Sequence, residues 1–163
     1  MTTRILLSTI SLFFFASCSS DSGDPAAASA GSSTPAASAS GAESSVLSAV
    51  NNYRSSKGLK PLQSDSGLND LARAHAVKMA ETGNADHKGY SSRKAAAGKL
   101  GYPRVEENVY FGSGASSDVI SRWDASSGHK STMSQPNYTH VGIGAAKKNG
   151  LTYLTMLVAN KNG

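Results

Sequence analysis

The last quarter of the sequence changes period, and that change limits the folds open to the chain. Val141, Ile143 and Ala145 alternate with small or polar neighbours, Asn149-Gly150 supplies a two-residue turn, and Tyr153 to Ala159 is an apolar run rich in β-forming residues. This pattern predicts a C-terminal β-hairpin. Upstream, apolar residues recur at helical spacing instead. Val46, Leu47, Val50 and Tyr53 follow the candidate caps Ser44 and Ser45 and end at Gly58. Leu68, Leu71, Ala72, His75, Ala76, Met79 and Ala80 share one face of a second helix, capped by Asp65 or Ser66 and stopped by Gly83. A weaker helical piece covers Ser92 to Leu100, and a fourth helix starts at Ser116 or Ser117 with Val119, Ile120 and Trp123 inward. Helices first and a hairpin last predict an α+β fold, helices packed on a small, mainly antiparallel sheet.

The first quarter of the chain has a different character. Arg4, the apolar run Ile5 to Phe15 and the small pair Ala16-Ser17 read as a secretory signal, too short to span a bilayer. Cys18 is the only cysteine, so no internal disulfide is available. Its place directly after Phe15-Ala16-Ser17 resembles the bacterial lipobox, whose cysteine is acylated and becomes the mature N-terminus. That resemblance implies a membrane-anchored lipoprotein of the cell envelope. Under the same resemblance, Ser19 after the cysteine favours the outer membrane in a Gram-negative host, and otherwise the outer face of the plasma membrane is expected. Residues 19–42 are almost wholly Ser, Ala, Gly and Pro and read as a disordered tether. Residues 43–163 are then the folded domain, expected to be a monomer.

With Arg4, Asp21 and Asp24 set aside, that domain carries 15 basic against 9 acidic side chains, a net charge of +6. The excess suits an anionic partner or a plain solvated surface. The lysines are spread out and no basic run alternates with aromatics, which argues against nucleic acid.

Val50-Asn51-Asn52-Tyr53-Arg54, followed by Gly58-Leu59 and Pro61-Leu62, resembles the first helix and turn of the CAP superfamily (the SCP or PR-1 type) in its bacterial form. Leu71 to Ala80 resembles that family's second helix, and Gly101-Tyr102 with Glu107-Asn108 its "GY...GEN" segment. Trp123 with Ser126-Ser127-Gly128-His129 resembles the bacterial "W..SpgH" element, and Thr139 to Gly144 the strand after it. The resemblance implies an α-β-α sandwich with a cleft where histidines and acidic residues converge, sometimes around a divalent metal such as zinc. His87, Glu107 and His129 match the site positions. Glu106 stands at the glycine of "GEN", Ser126 where a second glutamate is expected, and Asn137 where the eukaryotic motif has histidine.

Three uses of His87, Glu107 and His129 follow from their chemistry. They form a polar network shaping a groove, or they hold a divalent metal, or Glu107 serves as general base on a metal-bound water in a hydrolase. No His-Glu-x-x-His helix, Gly-x-Ser-x-Gly elbow or thiol nucleophile supports a hydrolase otherwise. The sequence therefore reads more readily as a binding domain that requires no cofactor and takes a lipid or peptide-like ligand. A purely structural or adhesive surface protein is the further alternative. Tyr110 and Phe111, expected in a loop beside Glu107, are candidates to line the groove. His140 starts a strand and points either into the cleft or outward, His75 reads as a satisfied core histidine, and Asn108 as a residue fixing loop geometry.

Overall fold

The computed structural model describes residues 37–161. The expected signal segment, the lipobox at Cys18 and most of the expected tether lie outside the described residues. The elements in chain order are α1 (Ala37–Ser56), β1 (Gln63–Ser64), α2 (Ser66–Thr82), α3 (Tyr90–Lys99), β2 (Arg104–Gly112), α4 (Ser116–Asp124), α5 (Ser127–Ser134), β3 (His140–Lys148) and β4 (Leu151–Asn160).

Local chemistry explains most of these boundaries. Asp65 caps α2 by accepting the Leu68 N–H at 2.9 Å, and Gly83 closes it in the left-handed region at φ 71°. Asn149 and Gly150, both at positive φ, make the β3–β4 turn. α1 departs from expectation. It begins at Ala37, so Ser44 and Ser45 lie inside the helix and donate back to the Gly41 carbonyl at 3.1 and 2.8 Å. The alanine-rich run before Glu43 favours helix. Glu43, the first residue of the expected folded domain, is itself fixed by Arg73, Nη2 to Oε2 at 2.7 Å, while α1 starts upstream of it at Ala37.

The four strands form one sheet in the order β1-β3-β4-β2, with β1 parallel to β3 and the other pairs antiparallel. β2 replaces the loop expected around Glu107. α5 was also not foreseeable from its period, since it buries only Thr132 and Met133.

Alternation along the strands builds two cores. Tyr110, Val141, Ile143, Leu154, Met156 and Val158 pack with Val46 and Val50 of α1, Val119 and Trp123 of α4 and Met133 of α5. Val105, Leu157 and Ala159 face the other way, onto Leu68 and Ala72 of α2 and Ala97 of α3. The result is an α-β-α sandwich. Each fully buried side chain of the size of Leu157 or Met156 contributes about 1.5–3 kcal/mol. On β3, Gly142 and Gly144 let α2 lie directly on the strand, because a Cβ at either would overlap the backbone of Leu68 or of Ala72 and Arg73.

Both exposed sheet edges are finished by side chains. Beyond the short β1, the Ile143 and Ala145 N–H groups donate to Asn69 Oδ1 at 2.8 Å and Glu43 Oε1 at 3.1 Å. On β2 the Val109 carbonyl accepts the Trp123 indole N–H at 3.0 Å, and the Val105 carbonyl accepts the Tyr90 hydroxyl. These contacts cover part of what each edge strand leaves open, and on β2 they take up only the Val105 and Val109 carbonyls.

Candidate functional site

β2 turns Val105, Glu107 and Val109 toward the α2–α3 layer, and Glu106, Asn108 and Tyr110 toward the α1–α4–α5 layer. Glu107 therefore meets α3. Its carboxylate, with the side chain 1% exposed, accepts Arg93 Nε at 2.6 Å on Oε2 and Arg93 Nη2 at 2.7 Å on Oε1. His87 Nδ1 adds a third contact to Oε1 at 2.8 Å. A carboxylate oxygen accepts in this contact, so His87 Nδ1 is the donor and Nε2 is the ring nitrogen turned away from Glu107. The loop bearing His87 is held from below by His75. That ring is 5% exposed and its Nε2 bonds to the Asp86 carbonyl at 2.8 Å, the role of a satisfied core histidine.

His129 comes from the opposite layer, on α5. Asn108, fully buried, donates through Nδ2 to the His129 carbonyl at 3.0 Å and so fixes the first turn of that helix. The His87 and His129 rings face each other across the β2 edge with centroids 6.5 Å apart and planes tilted by 37°. Burial, and then the neighbouring His87 charge, lowers the His129 pKa below the usual imidazole value.

The other candidates lie elsewhere. Tyr110 points away from Glu107 into the core, 5% exposed, with its hydroxyl on Asp118 Oδ2 at 2.7 Å. Phe111 shares the Glu107 face but sits about 13 Å farther along the strand. It stacks on Tyr153 at 6.2 Å and remains 52% exposed. The expectation that the pair lines a groove in a loop beside Glu107 is corrected on both counts: they are strand residues, and one is core. His140, on β3, packs its ring against Tyr102 at 5.4 Å and pairs Nδ1 with the Thr139 hydroxyl at 2.8 Å.

Arg93 is the member of the site that sequence reasoning missed. A signal existed, since Tyr90, Arg93 and Ala97 fall on one helical face and all three turn toward β2 and the core beside it. The donor set does not fit a three-ligand metal centre, because Glu107 is directed at a guanidinium. Among the described residues no group of three His, Cys, Asp or Glu side chains is arranged to hold a metal ion.

Glu106 belongs to a separate cluster on the opposite face. It accepts the Thr132 hydroxyl at 3.2 Å, and burial followed by the Glu106 charge and hydrogen bond pushes the Tyr138 phenol far above its ordinary value.

A family model for CAP, the cysteine-rich secretory protein family, matches residues 47–160. The chain belongs to the CAP family. The uncharacterised protein YkwD of Bacillus subtilis is 34% identical over 106 residues, covering 63% of this chain and 41% of YkwD. Among solved structures, an extracellular SCP-domain protein of Bacillus anthracis aligns with a TM-score of 0.67 at 22% identity, over 76% of this chain and 41% of that one. An outer surface protein of Borrelia burgdorferi aligns at 0.64 and 17%, over 72% of this chain and 90% of that one. The two structural likenesses are likenesses of fold. This CAP chain spans less than half the length of YkwD and of the Bacillus anthracis protein.

Proposed function

We propose that this CAP-family chain is a bacterial cell-envelope protein that binds a peptide-like ligand along the edge of β2, beside His87, Glu107 and His129, and is anchored by lipid on Cys18. The observation that carries the binding reading over a catalytic one is the state of Glu107. Both its oxygens are held by Arg93, and one also by His87, so the only carboxylate of the trio is spent on structure. It is ill placed to serve as a base or a metal ligand. What faces outward is a pair of imidazoles from two layers, with the backbone of an edge strand between them, an arrangement suited to an extended chain. A peptide is favoured over an apolar ligand because Tyr110 is in the core and the cavity next to this edge is lined mainly by charged and amide side chains, with Tyr90, Pro103, Val105 and Tyr138 also in its lining. The names of the two solved relatives, an extracellular and an outer surface protein, support an envelope location, as does the lipobox resemblance at Cys18.

The test is backbone-amide NMR of the full chain with tetrapeptides blocked at both ends, beside a medium-chain fatty acid. Peptides are expected to move the amides of Val105 to Val109 and His129, and the fatty acid to leave them in place; the reverse pattern rejects the proposal. Calorimetric zinc titration of the same chain beside a His87→Ala, His129→Ala double variant tests the hydrolase alternative. Single-equivalent binding at micromolar strength, lost in the double variant, would restore that alternative.

A further inference from the structure

We infer, resting on that peptide-binding reading, that the cavity at the Glu106 end of β2 receives the free carboxylate end of a short peptide, with Lys94 and Arg104 as its cationic receptor. The cavity has a volume of about 390 Å³ and is lined by Lys94, Arg104, Glu106, Gln135, Asn137 and Tyr138, among others. That volume is at the small end of the range for ligand sites, the scale of a chain terminus and not of a folded partner.

Its walls are set before any ligand arrives. Arg54 is fully buried, yet it pairs with no carboxylate among the described residues. Its guanidinium donates to the carbonyls of Lys60 at 2.9 Å, Met133 at 2.8 Å, Gln135 at 3.0 Å and Tyr138 at 3.4 Å. A buried cation spent wholly on backbone carbonyls fixes the segment that carries Gln135, Asn137 and Tyr138. Glu106 is oriented in turn by the Thr132 hydroxyl. A carboxylate accepts about four hydrogen bonds, so capacity remains for donors of a ligand.

The charge balance chooses the ligand. Lys94 and Arg104 are exposed, and neither has an ion-pair partner among the described residues. Against the one carboxylate of Glu106 they leave a single positive charge in the cavity. A singly charged carboxylate balances it, whereas a phosphate dianion would add repulsion with Glu106. The amide side chains of Gln135 and Asn137 offer both donors and acceptors, as a peptide's own amides require. Glu106 then takes the ligand's N–H or ammonium group.

The experiment titrates alanyl-lysine into the full chain, following the backbone amides of Arg104 to Glu107 and Gln135 to Tyr138 by NMR. Parallel titrations use alanyl-lysinamide, inorganic phosphate, and a Lys94→Gln, Arg104→Gln double variant; both residues are exposed, so the variant keeps the fold. The free acid is expected to bind saturably. Amidation and the double substitution are each expected to weaken binding by about tenfold, and phosphate to bind more weakly than the dipeptide. Equal affinity for acid and amide, unchanged affinity in the double variant, or phosphate binding as tightly as the dipeptide each overturns the carboxylate receptor. In any of those cases the peptide-binding proposal survives if blocked tetrapeptides still move Val105 to Val109. If neither set of peptides moves any of these amides, both fall.

Discussion

Arg93 grips both oxygens of Glu107 in a fork, Nε to Oε2 and Nη2 to Oε1, and both side chains are withdrawn from water, at 11% and 1% exposure. Paired geometry of this kind satisfies a buried carboxylate that would otherwise carry a large desolvation cost. Glu107 is thereby turned into a strut between α3 and β2. His87, bonded to the same oxygen as Nη2, inherits its orientation from that strut.

The asymmetry of such a pair gives the first prediction. Arg93→Gln strands a buried carboxylate and is expected to cost about 3 kcal/mol or more, whereas the Arg93→Gln, Glu107→Gln double variant costs clearly less than the two single losses combined. Urea unfolding of all four members of the cycle measures this. Strict additivity would show that the fork contributes no coupling.

Close approach of α2 to β3 gives the second. Gly144→Ala drives a methyl group into the backbone of Ala72 and Arg73, with no flexible side-chain tip to move aside, and is expected to destabilise by about 1–3 kcal/mol or more. Gly98 on α3 has nothing within 4 Å of an added Cβ, so Gly98→Ala is expected to stabilise by about 0.4–1 kcal/mol. Opposite shifts of the two urea midpoints are the expected outcome, and shifts of the same sign would contradict the packing described.

The features legible in the sequence are those with local causes. α2 has its stripe, its Asp65 cap and its Gly83 stop within one short stretch, and the β3–β4 hairpin announces itself through Asn149-Gly150. β2 is different. Glu106-Glu107-Asn108 looks like polar loop, and as strand each side chain finds a distant partner: Thr132, Arg93 and the His129 carbonyl, although Asn108 Oδ1 stays unpaired among the described residues. Mistaking that strand for a loop hides the alternation that sends Tyr110 into the core. The family resemblance singled out His87, Glu107 and His129, which lie near one another, but gave no sign of Arg93, which only the packing of α3 brings to Glu107.

The anchor proposal makes a prediction outside the described residues. Acyl chains on Cys18 add about 0.8 kcal/mol per buried CH₂, enough over more than one chain to hold the protein on a membrane. The parent expressed in a bacterial host is expected in the membrane fraction with acyl mass on its N-terminal peptide, and Cys18→Ala in the soluble fraction. An unacylated parent that fractionates like the variant would remove the anchor from the account.

His129 supplies the pH prediction. Its folded pKa is lowered, first by burial and then by the His87 charge, so just below the ordinary imidazole value of about 6.5 the unfolded chain binds more protons than the folded one. This contribution to stability is fully present above that value, is lost as pH falls toward the lowered folded pKa, and levels off beneath it. Urea unfolding at about pH 7.5 and about pH 5.5 is expected to show a loss on acidification that is smaller in His129→Gln. NMR titration separates the two causes. His87→Ala should raise the His129 midpoint, because the neighbouring charge is gone, while leaving it below about 6.5, because burial, the larger cause, persists. A midpoint that does not move would mean that the two imidazoles do not sense one another across the β2 edge, and the picture of a paired site there would have to be given up.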